Sequence, residues 1–398
     1  MAFMSLSNYL QIVERAWNSQ DGSKVALFIS LRHDHACYAN YHVENPEGLV
    51  ERFLPGPIDE LVILHLKCLH ALSKMDYMGA YQIQSNLIQS FTKILQMQKE
   101  ENWSLPIMYT VCLDLRLLAQ KAEKSRVGIN EKPGEILEKA AECLMGCFRV
   151  CAADNRSSEE DTKRIGMLAL VNQLFKVYFR INKLHLCKPL IRAIQSSPFN
   201  ESFSLSQQIT YKYFVGRKAM FDSDYKKADE YLTYAFENCH KLSKKNKRLI
   251  LIYLVPVKML LGYVPSKSVL EKYDVIQFWE LVQAVSCGNL KAFDELMEIH
   301  ESFFIECGIY LIVEKLKIIA YRNLFRKVYL ILNTHQIPVE ALQTALVHLG
   351  QSDVDLDETE CIVGNLIYEG KIKGYISHQH RKIVVSKQNP FPPLTTLV

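Results

Sequence analysis

The chain has 398 residues, 49% hydrophobic and 23% charged, which allows two or three domains with ample cores and is unlike the polar composition of a disordered chain. The formal charge is only +4, so the whole molecule is no polycation, and any case for nucleic acid must rest on where the cations lie. The 11 cysteines stand singly, without a CxxC pair, which argues against a disulfide framework and fits reduced thiols in the cytoplasm or nucleus.

The N-terminus, Met-Ala-Phe-Met-Ser-Leu-Ser-Asn, lacks a basic start and an apolar signal core, and reads as a capped helix entering Tyr9 to Ala16. From there to residue 320 almost everything has helical period. Four stretches share one layout, an apolar helix, a tight polar turn and a second helix. They are Leu61 to Leu72 with Tyr77 to Phe91, Leu168 to Phe179 with Leu184 to Ile194, Tyr213 to Met220 with Tyr225 to Phe236, and Phe278 to Val285 with Leu290 to Ile299. Leu184 and Tyr225 lie 41 residues apart, a spacing suited to helical-hairpin repeats, in which small residues such as Gly216 let helices approach. Lys124 to Gly134 and Ala153 to Asp161 read as exposed loops, and Ser196 to Ser206 as a seam. The apolar run Leu249 to Tyr263 is shorter than the roughly 20 residues of a membrane span and reads as a buried helix kinked at Pro256. Its length also suggests apolar surface waiting for a partner.

From Tyr321 to Ser386 the pattern becomes three helices and two strands, a winged helix. Leu324, Val328, Ile331 and Leu332 stripe the first helix. Pro338 opens the second at its first position, ahead of Val339, Leu342, Leu346 and Leu349. Asp355 and Asp357 are N-cap candidates for the third, Glu358 and Glu360 suit its first turn, and Gly370 stops it. Ile372, Gly374 and Ile376 then alternate against Lys371, Lys373 and Tyr375, and a second strand covers Lys382 to Ser386. The tail Asn389-Pro-Phe-Pro-Pro393 should run extended.

Helical hairpins leading directly into a winged helix, with Gly216-Arg-Lys-Ala-Met-Phe-Asp-Ser-Asp-Tyr-Lys-Lys-Ala228 in the third hairpin, resemble the PCI domain of proteasome-lid, signalosome and translation-initiation subunits. Three runs narrow the resemblance to the PCI-domain-containing proteins of the messenger-RNA export complex at the nuclear pore: Phe148 to Ala152, Asn172 to Lys176 with Asn182 to Ala193, and Gly374 to Arg381 leading to Pro393. The expected fold is therefore mainly α, a right-handed helical-hairpin (TPR-like) solenoid capped by a C-terminal winged helix. Its divisions are residues 1–205 for N-terminal repeats, 206–320 for the helical part of the PCI domain, 321–388 for the winged helix and 389–398 for the tail.

The resemblance implies a non-catalytic adaptor, nuclear and pore-associated and also cytoplasmic. It would pair with a larger PCI-containing scaffold of the germinal-centre-associated nuclear protein type and with a small acidic disordered stabilising protein, and bind RNA, and also DNA, without sequence preference or a membrane. The competing expectation is a protein-only subunit of a proteasome-lid- or signalosome-type complex.

The residues set the form of any nucleic-acid contact. Four carboxylates at the start of the third helix would face phosphate, so insertion of that helix in the major groove is disfavoured. The cations lie on the wing and first helix instead: Arg322, Arg326, Lys327, Lys371, Lys373, Arg381, Lys382 and Lys387, with Tyr375, His378 and His380 for hydrogen bonds or stacking. A plain solvated basic surface explains the same residues. A second basic run, Lys241, Lys244, Lys245, Lys247 and Arg248, reads as a linker between helices where an acidic partner could dock.

His33, His35, Cys37 and His42 form a dense cluster without metal-site spacing, so neither metal nor cofactor is expected. Cys143, Cys147 and Cys151 share one helical face and read as small core residues. No phosphate loop, dinucleotide fingerprint or nucleophile elbow occurs, so no enzyme activity is expected.

Overall fold

The computed structural model describes residues 5–98, 101–126, 132–156, 158, 160–199 and 202–397, so parts of the predicted loops Lys124–Gly134 and Ala153–Asp161 and of the seam Ser196–Ser206 lie outside it. The chain divides into two compact units, residues 1–211 and 212–398.

The first unit contains α1 (Leu6–Asn18), α2 (Gly22–Ile29), α3 (Glu47–Val50), α4 (Ile58–Ser73), α5 (Tyr77–Met97), α6 (Leu105–Ser125), α7 (Glu135–Ala152), α8 (Met167–Arg180) and α9 (Cys187–Gln195). Ser5 caps α1 through its side chain, as the N-terminal pattern predicts. Helices α4 to α8 each pack on the next, the arrangement expected when every hairpin buries an apolar face that it cannot cover alone. Asp76, in the tight turn of the first hairpin, accepts the Gly79 N–H at 2.8 Å and starts α5. Cys147 and Cys151 are buried on α7, with Cys147 Sγ 3.9 Å from that of Cys112, whereas Cys143 is half-buried.

Helix α10 (Leu205–Phe221) carries the unit boundary between Tyr211 and Lys212. The second unit continues with α11 (Tyr225–Asn238), α12 (Lys244–Leu260), α13 (Lys267–Lys272), α14 (Gln277–Cys287), α15 (Leu290–Ile299), α16 (Glu301–Cys307), α17 (Tyr310–Glu314), α18 (Lys317–Leu332), β1 (Gln336–Pro338), α19 (Val339–His348), α20 (Leu356–Tyr368), β2 (Gly374–Ser377) and β3 (Lys382–Val385). The fold is mainly α with a small sheet near the C-terminus.

Two glycines make close approaches. A Cβ on Gly216 would stand 2.7 Å from Leu232 Cγ, so α11 could not lie as near to α10. Gly288 ends α14 at φ +66°, and a Cβ there would meet the Leu324 backbone nitrogen at 2.5 Å. That second contact sets the last hairpin directly against α18. The apolar run of α12 is buried from Ile250 to Val257, so the chain itself covers it, and the expectation of unfilled apolar surface along that helix is corrected.

The winged helix departs from the two-strand pattern. A third strand, β1, gives the order β1-β3-β2, all antiparallel, with Ile337 opposite Ile383 and Tyr375 opposite Val384. Pro338 is the last residue of β1 and the N-cap of α19, with extended ψ of 136°, and is not the first helical residue. The core joins Phe325, Ile337, Leu342, Val363, Leu366 and Ile383. Leu324 is buried in the stripe of α18, but Ile331 is 81% exposed and Leu332 41%, because packing of the helix on the core reaches only to Tyr329 before it stops at Asn333 in left-handed conformation. Asp355 caps α20 by accepting the Glu358 N–H at 2.7 Å, and Gly370 follows the helix at φ +72°.

Candidate functional site

Strand alternation decides which wing residues face outward. Ile383 and Val385 of β3 point into the core, as do Ile337 of β1 and Ile372 ahead of β2. The other parity faces away: Lys373, Tyr375 and Ser377 along the β2 side, Lys382 and Val384 on β3, Gln336 on β1. Tyr375 is 61% exposed, Lys373 and Lys382 are exposed, and the outward set holds no carboxylate. The result is a cationic sheet face with an aromatic ring on its edge strand β2.

The surrounding backbone fixes that face. The Ser386 N–H donates to Lys373 O at 2.8 Å, extending the β2–β3 pairing to Lys373. The Val339 N–H donates to Arg381 O at 3.0 Å, tying the hairpin tip to the start of α19. Arg381 itself sits at φ +46°, in the turn that leads into β3. His380, Arg381 and Lys387 are exposed.

The remaining predicted positions divide. Lys371 is paired with Glu369, and His378 Nδ1 lies 2.6 Å from Glu360 Oε2, which raises the His378 pKa above its usual range through that hydrogen bond and charge. Arg326 and Lys327 are exposed on α18. Arg322 is not a surface cation. It is 6% exposed and donates from Nη2 to Phe391 O at 3.1 Å and Pro392 O at 2.7 Å, so it fastens the tail. The tail is docked on the domain, with the Lys373 N–H on Pro390 O at 2.8 Å and Phe391 buried.

The second basic run is corrected in the same way. It is no linker, since α12 starts at Lys244. Lys247 is buried, donates to Phe236 O at 2.5 Å and stands over the Phe236 ring, and Arg248 pairs with Asp274 at 3.3 Å. Lys241, Lys244 and Lys245 stay exposed.

In the first unit the histidine cluster has different members from those the sequence grouped. His33 Nδ1 lies 2.8 Å from His35 Nδ1, and His35 Nε2 lies 3.0 Å from His65 Nε2, a partner 30 residues away that sequence spacing could not reveal. Burial lowers the His35 pKa to about 4, helped by His33, and pushes His65 well down. His42 instead contacts Ala36 O. The three rings bind one another in a line, and among the described residues no group of three or more His, Cys, Asp or Glu converges as a metal site. Among those residues, too, no helix is long and apolar enough to cross a membrane.

With hairpins running into a three-helix, three-strand winged helix, the fold defines a class, and residues 296–387 match the PCI domain. PCI-domain proteins are in general non-catalytic scaffold subunits and assemble into multi-subunit complexes. Over 395 residues, 99% of this chain and 100% of the relative, the sequence is 58% identical to the PCI domain-containing protein 2 homolog of Drosophila melanogaster. It is 56% identical over 398 residues, the whole of both chains, to PCI domain-containing protein 2 of Xenopus laevis. It is also 33% identical over 329 residues, 73% of each chain, to Protein CSN12 homolog of Neurospora crassa. The chain belongs to the PCI domain-containing protein 2 family.

Proposed function

We propose that this protein is a scaffold subunit of a messenger-RNA export complex, pairing through its PCI domain with a larger PCI protein and holding RNA backbone on the outer face of the wing sheet. The observation that carries this reading is the outward set Lys373, Tyr375 and Lys382, continued by Arg381 and Lys387, without an acid among the outward sheet positions. The Lys and Arg groups would meet phosphates and Tyr375 would stack a base, a sequence-tolerant mode suited to single strands. The carboxylates at the start of α20 keep that helix out of a groove. DNA backbone would be held by the same contacts. The export role and a nuclear, pore-associated and partly cytoplasmic location are supported by the resemblance in Gly374 to Arg381. Exposed Lys241, Lys244 and Lys245 remain the place for a small acidic partner.

A second reading, a protein-only signalosome-type subunit, is favoured by the likeness to the protein named CSN12 homolog. Fluorescence anisotropy with single-stranded RNA separates the two. The variant Lys373→Glu/Arg381→Glu/Lys382→Glu, folded by circular dichroism, should bind at least about tenfold more weakly than wild type near physiological salt. Equal binding by the two removes the sheet-face reading and leaves the protein-only one.

A further inference from the structure

A cavity of about 450 Å³ lies in the second unit between the docked tail and α14 and α18. Two guanidinium groups one helical turn apart, Arg322 and Arg326, line it, and no Asp or Glu does. Arg322 is 94% removed from solvent by its 6% exposure, and its hydrogen bonds go from Nη1 to Asn323 and from Nη2 to the tail carbonyls. Its Nε has no partner among the described residues. The carbonyl oxygens and the Asn323 amide solvate Arg322 without neutralising it, and neither arginine has an ion-pair partner among the described residues. A buried cation without a counter-charge and with a spare donor is costly, and an anion in the cavity would supply both needs.

The remaining wall indicates what the anion is attached to. Tyr263 is half exposed beside Val264, and Ser286, Asn389 and Thr395 add hydroxyl and amide side chains to a wall that is otherwise largely apolar. Lys258 Nζ stands 5.0 Å from the Tyr263 ring centroid and is itself held by Asp229 at 2.8 Å, so the ring sits near a third, already paired, cation. A carboxylate would balance one arginine, whereas a phosphoryl group offers three acceptor oxygens and nearly two charges to two forked donors. The volume is far larger than a phosphate and lies in the range of small-ligand sites, about 300–1,000 Å³.

We propose that this cavity binds a nucleotide, its phosphate on Arg322 and Arg326 and its base against Tyr263. Free nucleotide and the phosphorylated end of an RNA strand present the same chemistry. The site shares no residue with the sheet face and stands independently of that reading.

The test is calorimetric titration of the full chain with inorganic phosphate, AMP, and short RNAs carrying a 5′-phosphate or a 5′-hydroxyl. AMP should bind more tightly than phosphate. Arg326→Glu, at an exposed position of α18 that should still fold, should weaken AMP by about tenfold or more, in line with loss of a charge-assisted contact. Tyr263→Ala should weaken AMP but leave phosphate unchanged, and Lys373→Glu/Lys382→Glu should leave AMP unchanged. A preference for 5′-phosphorylated RNA over its 5′-hydroxyl form assigns the site to strand ends, and binding of AMP with no such preference assigns it to free nucleotide. No binding of AMP, AMP binding no tighter than phosphate, or undiminished binding by folded Arg326→Glu overturns the proposal.

Discussion

Two basic runs look alike in the sequence and fold to different ends. Lys241 to Arg248 and Lys371 to Lys387 each carry five cations. In the first, helix α12 begins inside the run, and helical spacing turns Lys247 onto Phe236 and brings Arg248 against Asp274, so two of the five become structural. In the second, Lys371 pairs with Glu369, while period-two alternation puts Lys373 and Lys382 together on the face away from the core. Charge density in a run is therefore a poor guide to available charge. Which periodicity the run adopts decides it.

Reversing charge at the two kinds of position should break or sharpen this contrast. The largest effect is expected for Lys247→Glu, which removes a hydrogen bond from a buried ammonium and puts a carboxylate beside the Phe236 carbonyl. It should lower stability by roughly 3 kcal/mol or more, read as a fall in denaturant midpoint. Lys244→Glu, three residues away and exposed, should stay within about 0.5 kcal/mol of wild type.

His35 and His65 of the first unit extend the contrast to groups that burial holds neutral. Unfolded histidine takes up its proton near 6.5, but His35 in the fold does so only near 4, so the folded state binds fewer protons between those values. Stability should fall as pH drops through that window, with a slope approaching about 1.4 kcal/mol per pH unit for each such histidine. Urea melts from pH 7 to 4 measure this, and a His65→Phe variant should show a shallower slope.

His378 is exposed and titrates in the opposite sense. Glu360 raises its folded pKa, so its small stabilising contribution is present below 6.5 and disappears as pH rises through the raised value. The His378 ring should titrate by NMR above 6.5 and return towards it in Glu360→Gln. The smallest effect on stability is expected for Lys373→Glu/Lys382→Glu, at exposed positions on the outward face of the sheet. A large loss of stability there would mean that the sheet face is a structural surface.

The helical hairpins, the cap at Asp355 and the wing alternation were legible because each depends on local periodicity or on one side chain meeting nearby backbone. Strand β1 was not, since Gln336-Ile-Pro338 is too short to show a period and owes its existence to pairing with β3, more than 40 residues on. Arg322 looked like a surface cation because nothing near it in sequence shows that the tail carbonyls 69 and 70 residues later will cover it. His65 was missed for the same reason, as its partner His35 lies 30 residues earlier, in the segment between α2 and α3. The exposed end of α18 escaped notice because Ile331 and Leu332 keep the helical stripe beyond Tyr329, where packing on the core ends. Within the candidate site, the outward parity of Lys373, Tyr375 and Lys382 could be read in advance, whereas the loss of Lys371, His378 and Arg322 to internal partners could not.

The central claim is that the sheet face holds nucleic-acid backbone, and the salt dependence of RNA binding tests it most directly. Observed affinity for single-stranded RNA should fall with salt at a slope of about −0.7 per phosphate contacted. Removing Lys373, Arg381 and Lys382 should make the slope shallower by about 2, with the protein assayed alone and with its PCI partner. An unchanged slope in the folded variant would contradict the account and return the cations of the wing to protein contact or bare surface.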